Sequence, residues 1–239
     1  MSDVLAIIPA RLGSKGIPHK NFRRFNLAPG PTPLDLAIRC AQSCGLDVVV
    51  TSEVLWVPDL PAGPFQSLLR PPELAQDDTP MIDVVQDVLA RVPGPEDQII
   101  LLVQPTQPLR EPKHLTAAIE LLASSGADSV VSVVALPLTH SPEMVFRLTA
   151  NGRIEPWDTW ERGGPTLAFD ALPSRRQAAE PGYVRDGTVY AFRRVTVITH
   201  GHIYGAHVRP LIIPPEETCA LDTEADWLEA ERRLREREE

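Results

Sequence analysis

The sequence predicts an α/β fold: a mostly parallel sheet with helices on both faces and a small β-hairpin excursion. Three observations carry this. Short continuous apolar runs mark strands buried on both sides, amphipathic helical patterns alternate with them, and one Asn-Gly pair between two apolar segments marks a hairpin outside the alternation.

Val4 to Ile8 is an apolar run stopped by Pro9, the pattern of a buried parallel strand whose carboxyl end opens into a loop. Residues 9 to 31 supply that loop. Thr32 as N-cap and Pro33 at the first helical position open a helix with Leu34, Ala37, Ile38 and Ala41 on one face, closed by Gly45. Val48 to Val50 is the second strand. Residues 52 to 76 are rich in proline without a clear period and read as loop with at most one short strand. Thr79 and Pro80 repeat the start signal for a helix carrying Met81, Val84, Val85, Val88 and Leu89. Strand Ile99 to Val103, loop Gln104 to Glu111, helix Pro112 to Ser124 (Leu115, Ala118, Ile119 and Leu122 inward) and strand Ser129 to Val134 follow. Three successive strand–helix–strand passages imply right-handed crossovers and a Rossmann-like sheet.

The second half changes character. Met144 to Leu148 and a return strand at Arg153 flank Asn151-Gly152, the hairpin signal. Residues 155 to 182 are irregular, with Trp157 and Trp160 read as packing for a flap. Thr188 to Phe192 and Val208 to Ile213 are further strand candidates. A carboxy-terminal helix starts near Thr223 and becomes a solvated charged face from Glu229. Without a repeat or low-complexity linker, residues 1 to 239 read as one domain with a flap or dimer-contact excursion around 136 to 182.

Hydrophobic residues make up 43% of the chain and charged residues 23%, the usual globular mixture. No apolar run approaches the ~20 residues of a membrane helix, and the first residues lack the basic start and cleavage site of a signal peptide. The expectation is a cytoplasmic protein without membrane partners. Three cysteines, with Cys40 and Cys44 four apart in a helical pattern, make no disulfide framework and read as small core residues. A formal net charge of −9 disfavours nucleic acid and anionic membranes, so phosphate must be bound locally. Lysine is confined to Lys15, Lys20 and Lys113, and two of these share one short loop.

That loop, Arg11-Leu12-Gly13-Ser14-Lys15-Gly16-Ile17-Pro18-His19-Lys20-Asn21, follows a buried strand. Glycines let backbone N–H groups approach an anion and the cations neutralise it, so the loop suits a triphosphate. It is not a Walker loop, whose order of glycine, lysine and hydroxyl differs. His200, His202 and His207 lack zinc-ligand spacing and read as alternating strand positions.

The string Ile7 to Pro18 with Lys20-Asn21 resembles the opening signature of the CMP-sialic acid synthetase family of sugar-acid cytidylyltransferases. Further segments match in order: Arg70 to Asp77 is similar to the cytosine-side motif, Leu102 to Arg110 to the central motif, Arg175-Arg176-Gln177 through Tyr183 to Tyr190 to the acceptor segment, and Leu221 to Asp226 to the metal-side motif. The resemblance implies a CTP-dependent nucleotidyltransferase domain that transfers CMP to a small anionic acceptor and works as a homodimer. It implies a nucleotide site of Ala10, Arg11, Gly13, Ser14, Lys15, Lys20, Asn21, Arg70 and Asp77, with Lys20, Arg11 and Asp222 catalytic. Asp222 would bind Mg2+, which suits an ion that takes one or two carboxylates plus substrate phosphates; by position alone Asp222 also reads as a helix N-cap. Gln104, Arg175, Arg176, Gln177, Tyr183 and Asp186 would hold the acceptor.

The chain departs from that pattern at Ala220, where a second aspartate is usual, at Asp186 in place of asparagine, at Gln107 in place of serine, and in Thr51-Ser52-Glu53, which lacks the aspartate after threonine. A nonulosonic or deoxyulosonic sugar acid is the expected acceptor. The alternatives are a small phosphonate such as phosphonoformate, whose anionic oxygen needs no deprotonation, and a CTP-binding protein without turnover.

Overall fold

The structure, a computed structural model, describes residues 3–28, 30–54, 63–156 and 181–238. The chain divides into two compact units, one of Met1–Ser132 with Asp186–Glu239 and one of Val133–Arg185.

The larger unit is built on β1 (Val4–Pro9), α1 (Pro33–Ser43), β2 (Asp47–Ser52), β3 (Gln66–Leu69), α2 (Met81–Arg91), β4 (Ile99–Leu102), α3 (Pro112–Ser125) and β5 (Ser129–Ala135). β8 (Tyr183–Arg193), which begins in the second unit, α4 (Arg194–His200), β9 (Val208–Ile212) and α5 (Glu224–Glu238) follow. The seven strands lie in the order β3-β2-β1-β4-β8-β5-β9. β1 runs parallel to β2 and β4, β2 is parallel to β3, and β8 is antiparallel to β4.

Alternation along each strand sends side chains to two cores. Ala6, Ile8, Val48, Val50 and Leu101 pack under Leu34, Ala37 and Ile38 of α1 and Leu115, Ala118 and Leu122 of α3. Leu5, Ile7, Val49, Ile100 and Leu102 face Val85 and Val88 of α2 and Val197 of α4. Each fully buried aliphatic side chain contributes roughly 1.5–3 kcal/mol relative to exposure. Helices therefore cover both faces, as the sequence predicts.

Thr32 caps α1 in a reciprocal box: its hydroxyl accepts from Asp35 N at 3.0 Å while the Asp35 carboxylate accepts from Thr32 N at 2.8 Å. Gly45, at φ 69°, takes the left-handed turn beyond the helix. The start of α2 differs from expectation. Pro80, not Thr79, occupies the N-cap in extended backbone without a side-chain bond. The Thr79 hydroxyl donates instead to Glu73 O.

The short strand allowed within 52–76 is β3, and one element escapes the sequence reading. α4 is built from Arg194-Val195-Thr196-Val197-Ile198-Thr199-His200, a β-branched run of poor helix propensity. It forms because buried Arg194 clamps it to the end of α2 and the chain entering β4, donating to Leu89 O and Val92 O at 3.0 Å and to Gln98 Oε1 at 2.8 Å. The histidines are accordingly not strand residues: His200 ends α4, His202 lies in the following turn and His207 precedes β9. Among the described residues no group of three or more His, Cys, Asp or Glu side chains could hold a metal ion, and no helix is long and apolar enough to cross a membrane.

The smaller unit holds an antiparallel pair, β6 (Phe146–Leu148) with β7 (Ile154–Pro156). Gly152, at φ 78°, makes the turn, and Arg147 pairs with Glu155 across the strands at 2.8 Å. Met144 closes a short 3-10 turn before the first strand, which starts two residues later than expected, and the return strand starts one residue after Arg153. Trp157, Trp160, Arg175, Arg176 and Gln177 lie outside the described residues.

Candidate active site

Consecutive crossovers leave β1 and β4 toward opposite edges of the sheet, so the carboxyl ends of these neighbouring strands flank a crevice. The loop after β1 and the turn Gln104–Arg110 after β4 open onto it. A pocket there is lined by Arg11, Ser14, Lys20, Asn21, Arg70 and Gln104, with Met81 and Thr106.

The wall is set by Thr51 at the end of β2, whose carbonyl accepts from Ala10 N at 2.9 Å and from Arg70 Nη2 at 2.7 Å. Ala10 is fully buried and its N–H is engaged, so its carbonyl is what it can offer a nucleotide. Arg70 is 3% exposed, and burial pulls its pKa down; an arginine nonetheless keeps its charge at neutral pH. The guanidinium is thus a fixed donor fork with two nitrogens anchored on Thr51 and an edge turned to the pocket.

In the cationic loop, Asn21 Nδ2 donates to Arg11 O at 2.9 Å. Its buried Oδ1 has no hydrogen-bond partner among the described residues. Asp77 bridges the loop's cations, with Oδ1 2.5 Å from Arg11 and Oδ2 2.6 Å from Lys15. The Lys15 ammonium first, and then the Arg11 guanidinium, hold its carboxyl below the usual range. Asp77 therefore stands among the loop's charges as their counter-ion. Gly13 faces open space, whereas a Cβ on Gly16 would come within 2.4 Å of Asp222 O; only glycine lets the loop lie against that backbone.

The segment 219–222 is held there by a third core. Ile17, Phe25, Leu221, Trp227 and Ala230 pack together, with the Phe25 and Trp227 rings stacked at 4.3 Å and Arg23 4.5 Å above the Trp227 ring. This cluster docks α5 on the loop. Lys20, at 14% side-chain exposure, donates to Leu221 O and stands 3.5 Å from Asp222 Oδ1.

Asp222 is not the helix cap. The Asp226 carboxylate accepts from Thr223 N at 2.7 Å and the Thr223 hydroxyl accepts from Asp226 N at 3.3 Å, so Thr223 and Asp226 close the helix end. The Asp222 carboxylate remains 79% exposed beside Lys20. A single exposed carboxylate next to a cationic loop fits Mg2+, which keeps several waters and completes its shell with phosphate oxygens.

Of the residues expected to hold the acceptor, Gln104 lines the pocket and its Oε1 would lie 3.1 Å from a Cβ on Gly187, which sits at φ 79°. Asp186 is engaged: its carboxylate accepts from the Thr188 hydroxyl, from Thr188 N at 3.2 Å and from the Thr218 hydroxyl at 2.9 Å. Tyr183 is half exposed and belongs to the smaller unit. Sequence reasoning passed over Glu53, whose Oε1 accepts from Leu12 N at 2.6 Å and whose buried Oε2 has no partner among the described residues. It also passed over Thr218 and over the role of buried Arg110, which donates to Gln104 O and Thr188 O. Burial draws the Arg110 pKa down to about 10.

A family model described as Cytidylyltransferase matches residues 5–206. The chain is 29% identical over 235 residues to a CMP-N,N'-diacetyllegionaminic acid synthase of Legionella pneumophila, covering 96% of this chain and 95% of that protein. It is 30% identical over 239 residues to N-acylneuraminate cytidylyltransferase A of Danio rerio, spanning 97% of this chain but 50% of the longer relative. In fold it is similar to a CMP:2-keto-3-deoxy-manno-octonic acid synthetase solved with CTP, with a TM-score of 0.65 at 15% identity over 99% of this chain and 100% of that one. A 4-diphosphocytidyl-2C-methyl-D-erythritol synthase of Anaerococcus prevotii gives 0.61 at 11% identity, covering 97% and 96% of the two chains. With a crevice at the switch point lined by the cationic loop and a family match across most of its length, the chain belongs to the cytidylyltransferases, CTP-dependent enzymes of the nucleotidyltransferase class.

Proposed function

We propose that this enzyme transfers CMP from CTP to the hydroxyl of a nonulosonic or deoxyulosonic sugar acid, releasing pyrophosphate. The observation that carries the reading is Lys20 beside Asp222 at the mouth of a pocket lined by Arg11, Ser14, Asn21 and Arg70. The acceptor class rests on the Legionella relative, similar over nearly the whole of both chains.

Arg70 presents donors to the acceptor edge of cytosine, O2 and N3, and uracil reverses the sense at N3. Arg11, Lys15, Ser14 and the loop amides take the triphosphate, with Arg11 and Lys15 exchanging Asp77 for phosphate oxygens. The acceptor oxygen attacks the α-phosphorus, the bond to the β-phosphate oxygen breaks, and pyrophosphate leaves with the electron pair. The acceptor's proton passes to solvent. Lys20, fixed by Leu221 O, is preorganised to neutralise charge growing on the α-phosphate. Asp222 would hold Mg2+, which when bound supplies further neutralisation of the phosphates. Dimerisation through the smaller unit belongs to the same reading; Leu148 and Ile154 stand exposed on its hairpin. The cytoplasm, where CTP is made, is the compartment this reading requires.

The test is pyrophosphate release from CTP with N-acetylneuraminic acid, legionaminic acid, a deoxyoctulosonic acid and phosphonoformate as acceptors. Release with a sugar acid and none with the phosphonate is expected. Release with phosphonoformate alone transfers the assignment to the phosphonate reading that Ala220 raises, and CTP binding without release under any condition makes the protein a nucleotide binder.

A further inference from the structure

We infer that Gln107 is a positioning residue that sets Asp222 and Leu221 O against Lys20, an inference that rests on the proposed CMP transfer. Gln107 is 3% exposed in the turn after β4, and of the residues expected to hold the acceptor it meets Asp186 through the backbone carbonyl. Both ends of its amide are used. Nε2 donates to Asp186 O at the entry of the sheet-bound part of β8. Oε1 accepts from Cys219 N at 3.3 Å and lies 3.1 Å from the Thr218 hydroxyl. That hydroxyl has one proton and two acceptors near it, and the charged Asp186 carboxylate at 2.9 Å is the stronger claimant, which leaves Cys219 N as the donor that satisfies Gln107.

From Cys219 the chain runs directly into the site. Leu221 N donates to Thr106 O at 3.0 Å, one residue before Gln107. Leu221 O accepts from Lys20, and Asp222 follows with its backbone against Gly16. One buried amide thus ties the turn after β4, Asp186 of β8 and the segment 218–222 together, upstream of the carboxylate that faces Lys20. The residue type matters. The family pattern resembled by this sequence carries serine here, and a serine hydroxyl is too short to span Asp186 O and Cys219 N. The same pattern has asparagine where this chain has Asp186, so the two departures meet in one network.

The experiment uses the full chain with Gln107→Ala and Gln107→Met, the second keeping side-chain volume while removing both hydrogen bonds. Folding is followed by circular dichroism, turnover by pyrophosphate release, and metal binding by titration of Mn2+ in the presence of a CTP analogue with a methylene between the α- and β-phosphorus. The expected result is a fall of about tenfold or more in both kcat and Mn2+ affinity, the range seen when residues supporting a metal ligand are removed. The KM for CTP should stay within about twofold, because the phosphate loop and Arg70 are untouched. Unchanged Mn2+ affinity, a loss confined to KM, or failure of both variants to fold overturns the inference and leaves Gln107 a packing element. Wild-type protein that binds CTP but releases no pyrophosphate would refute the proposed reaction instead, while the Mn2+ titration still decides the role of Gln107.

Discussion

Lys20 is gripped along its length: its backbone N donates to Ile17 O at 3.2 Å in a turn anchored by a buried isoleucine, and its ammonium donates to Leu221 O. A cation so fixed reorganises little as phosphate charge develops, so Lys20→Ala should lower kcat by roughly a hundredfold or more, with a smaller effect on the KM for CTP. Pyrophosphate-release kinetics on the folded variant check this, and near-normal turnover would remove Lys20 from the chemistry. Arg70→Ala takes away the donor fork at the base end. The preference for CTP over UTP should shrink by about 1–3 kcal/mol, the usual worth of a matched base contact, as measured by competition between the two nucleotides. These residues were legible because they sit in one contiguous loop or beside a short motif. Glu53 and the ion pairs of Asp77 were not, since their partners lie 41 and 66 positions away. Only the parallel arrangement of β1, β2 and the chain before α2 brings them to the phosphate loop.

Elements differ in how openly the sequence declares them. α1, α2 and α3 combine a 3.6-residue apolar period with proline or capping signals, and their expected interior positions are buried except Met81, Leu89 and Ile119, which are half-buried. α4 carries the opposite local preference and exists through Arg194, a tertiary contact that no window of sequence displays. α5 is the instructive case. Its charged second half reads as solvated, and it is: Arg232 and Arg233 pair with Glu229 one turn back. Yet its first turn carries Trp227, 1% exposed, which pins the helix and the preceding Asp222 to the loop after β1. Trp227→Ala should therefore cost about 3–5 kcal/mol, typical of a deleted core aromatic, and should lower turnover more than the folded fraction explains. Trp227→Phe, which keeps a ring against Phe25, should recover most of both. Urea midpoints compared with turnover separate the two effects; a Trp227→Ala protein with full activity per folded molecule would show that Asp222 is placed without α5.

For the molecule as a whole, the fold class and the grouping of the loop after β1 with Arg70 in one pocket were legible because each rests on local pattern. The acceptor half was less so: Gln107 and Asp186 act through each other and Thr218, a network assembled from three distant segments. Charge distribution gives the last prediction. Several carboxyls have pKa values held below their ordinary range by hydrogen bonds: Asp77 by Lys15 and Arg11, Asp128 by the amides of His207 and Ala206, Glu217 by Lys113 and His114, and Asp226 by Thr223. Glu229 is drawn down to about 2 by Arg232 and Arg233. Each folded value lies below the unfolded one, so the unfolded chain binds more protons as the solution is acidified. The stabilisation is in place above the unfolded carboxylate range and is lost as pH falls through the folded values. The urea midpoint should consequently hold from neutrality to about pH 5 and decline from about pH 4 toward 2. Because the groups are solvent-exposed, 0.5 M salt should shallow that decline without moving its onset to higher pH, as expected of about 3–5 Å screening. Glu229→Gln should flatten its lowest part. A midpoint that stays constant to pH 2.5, or one that begins to fall above pH 6, would show that these pairs do not set the acid limit of the fold.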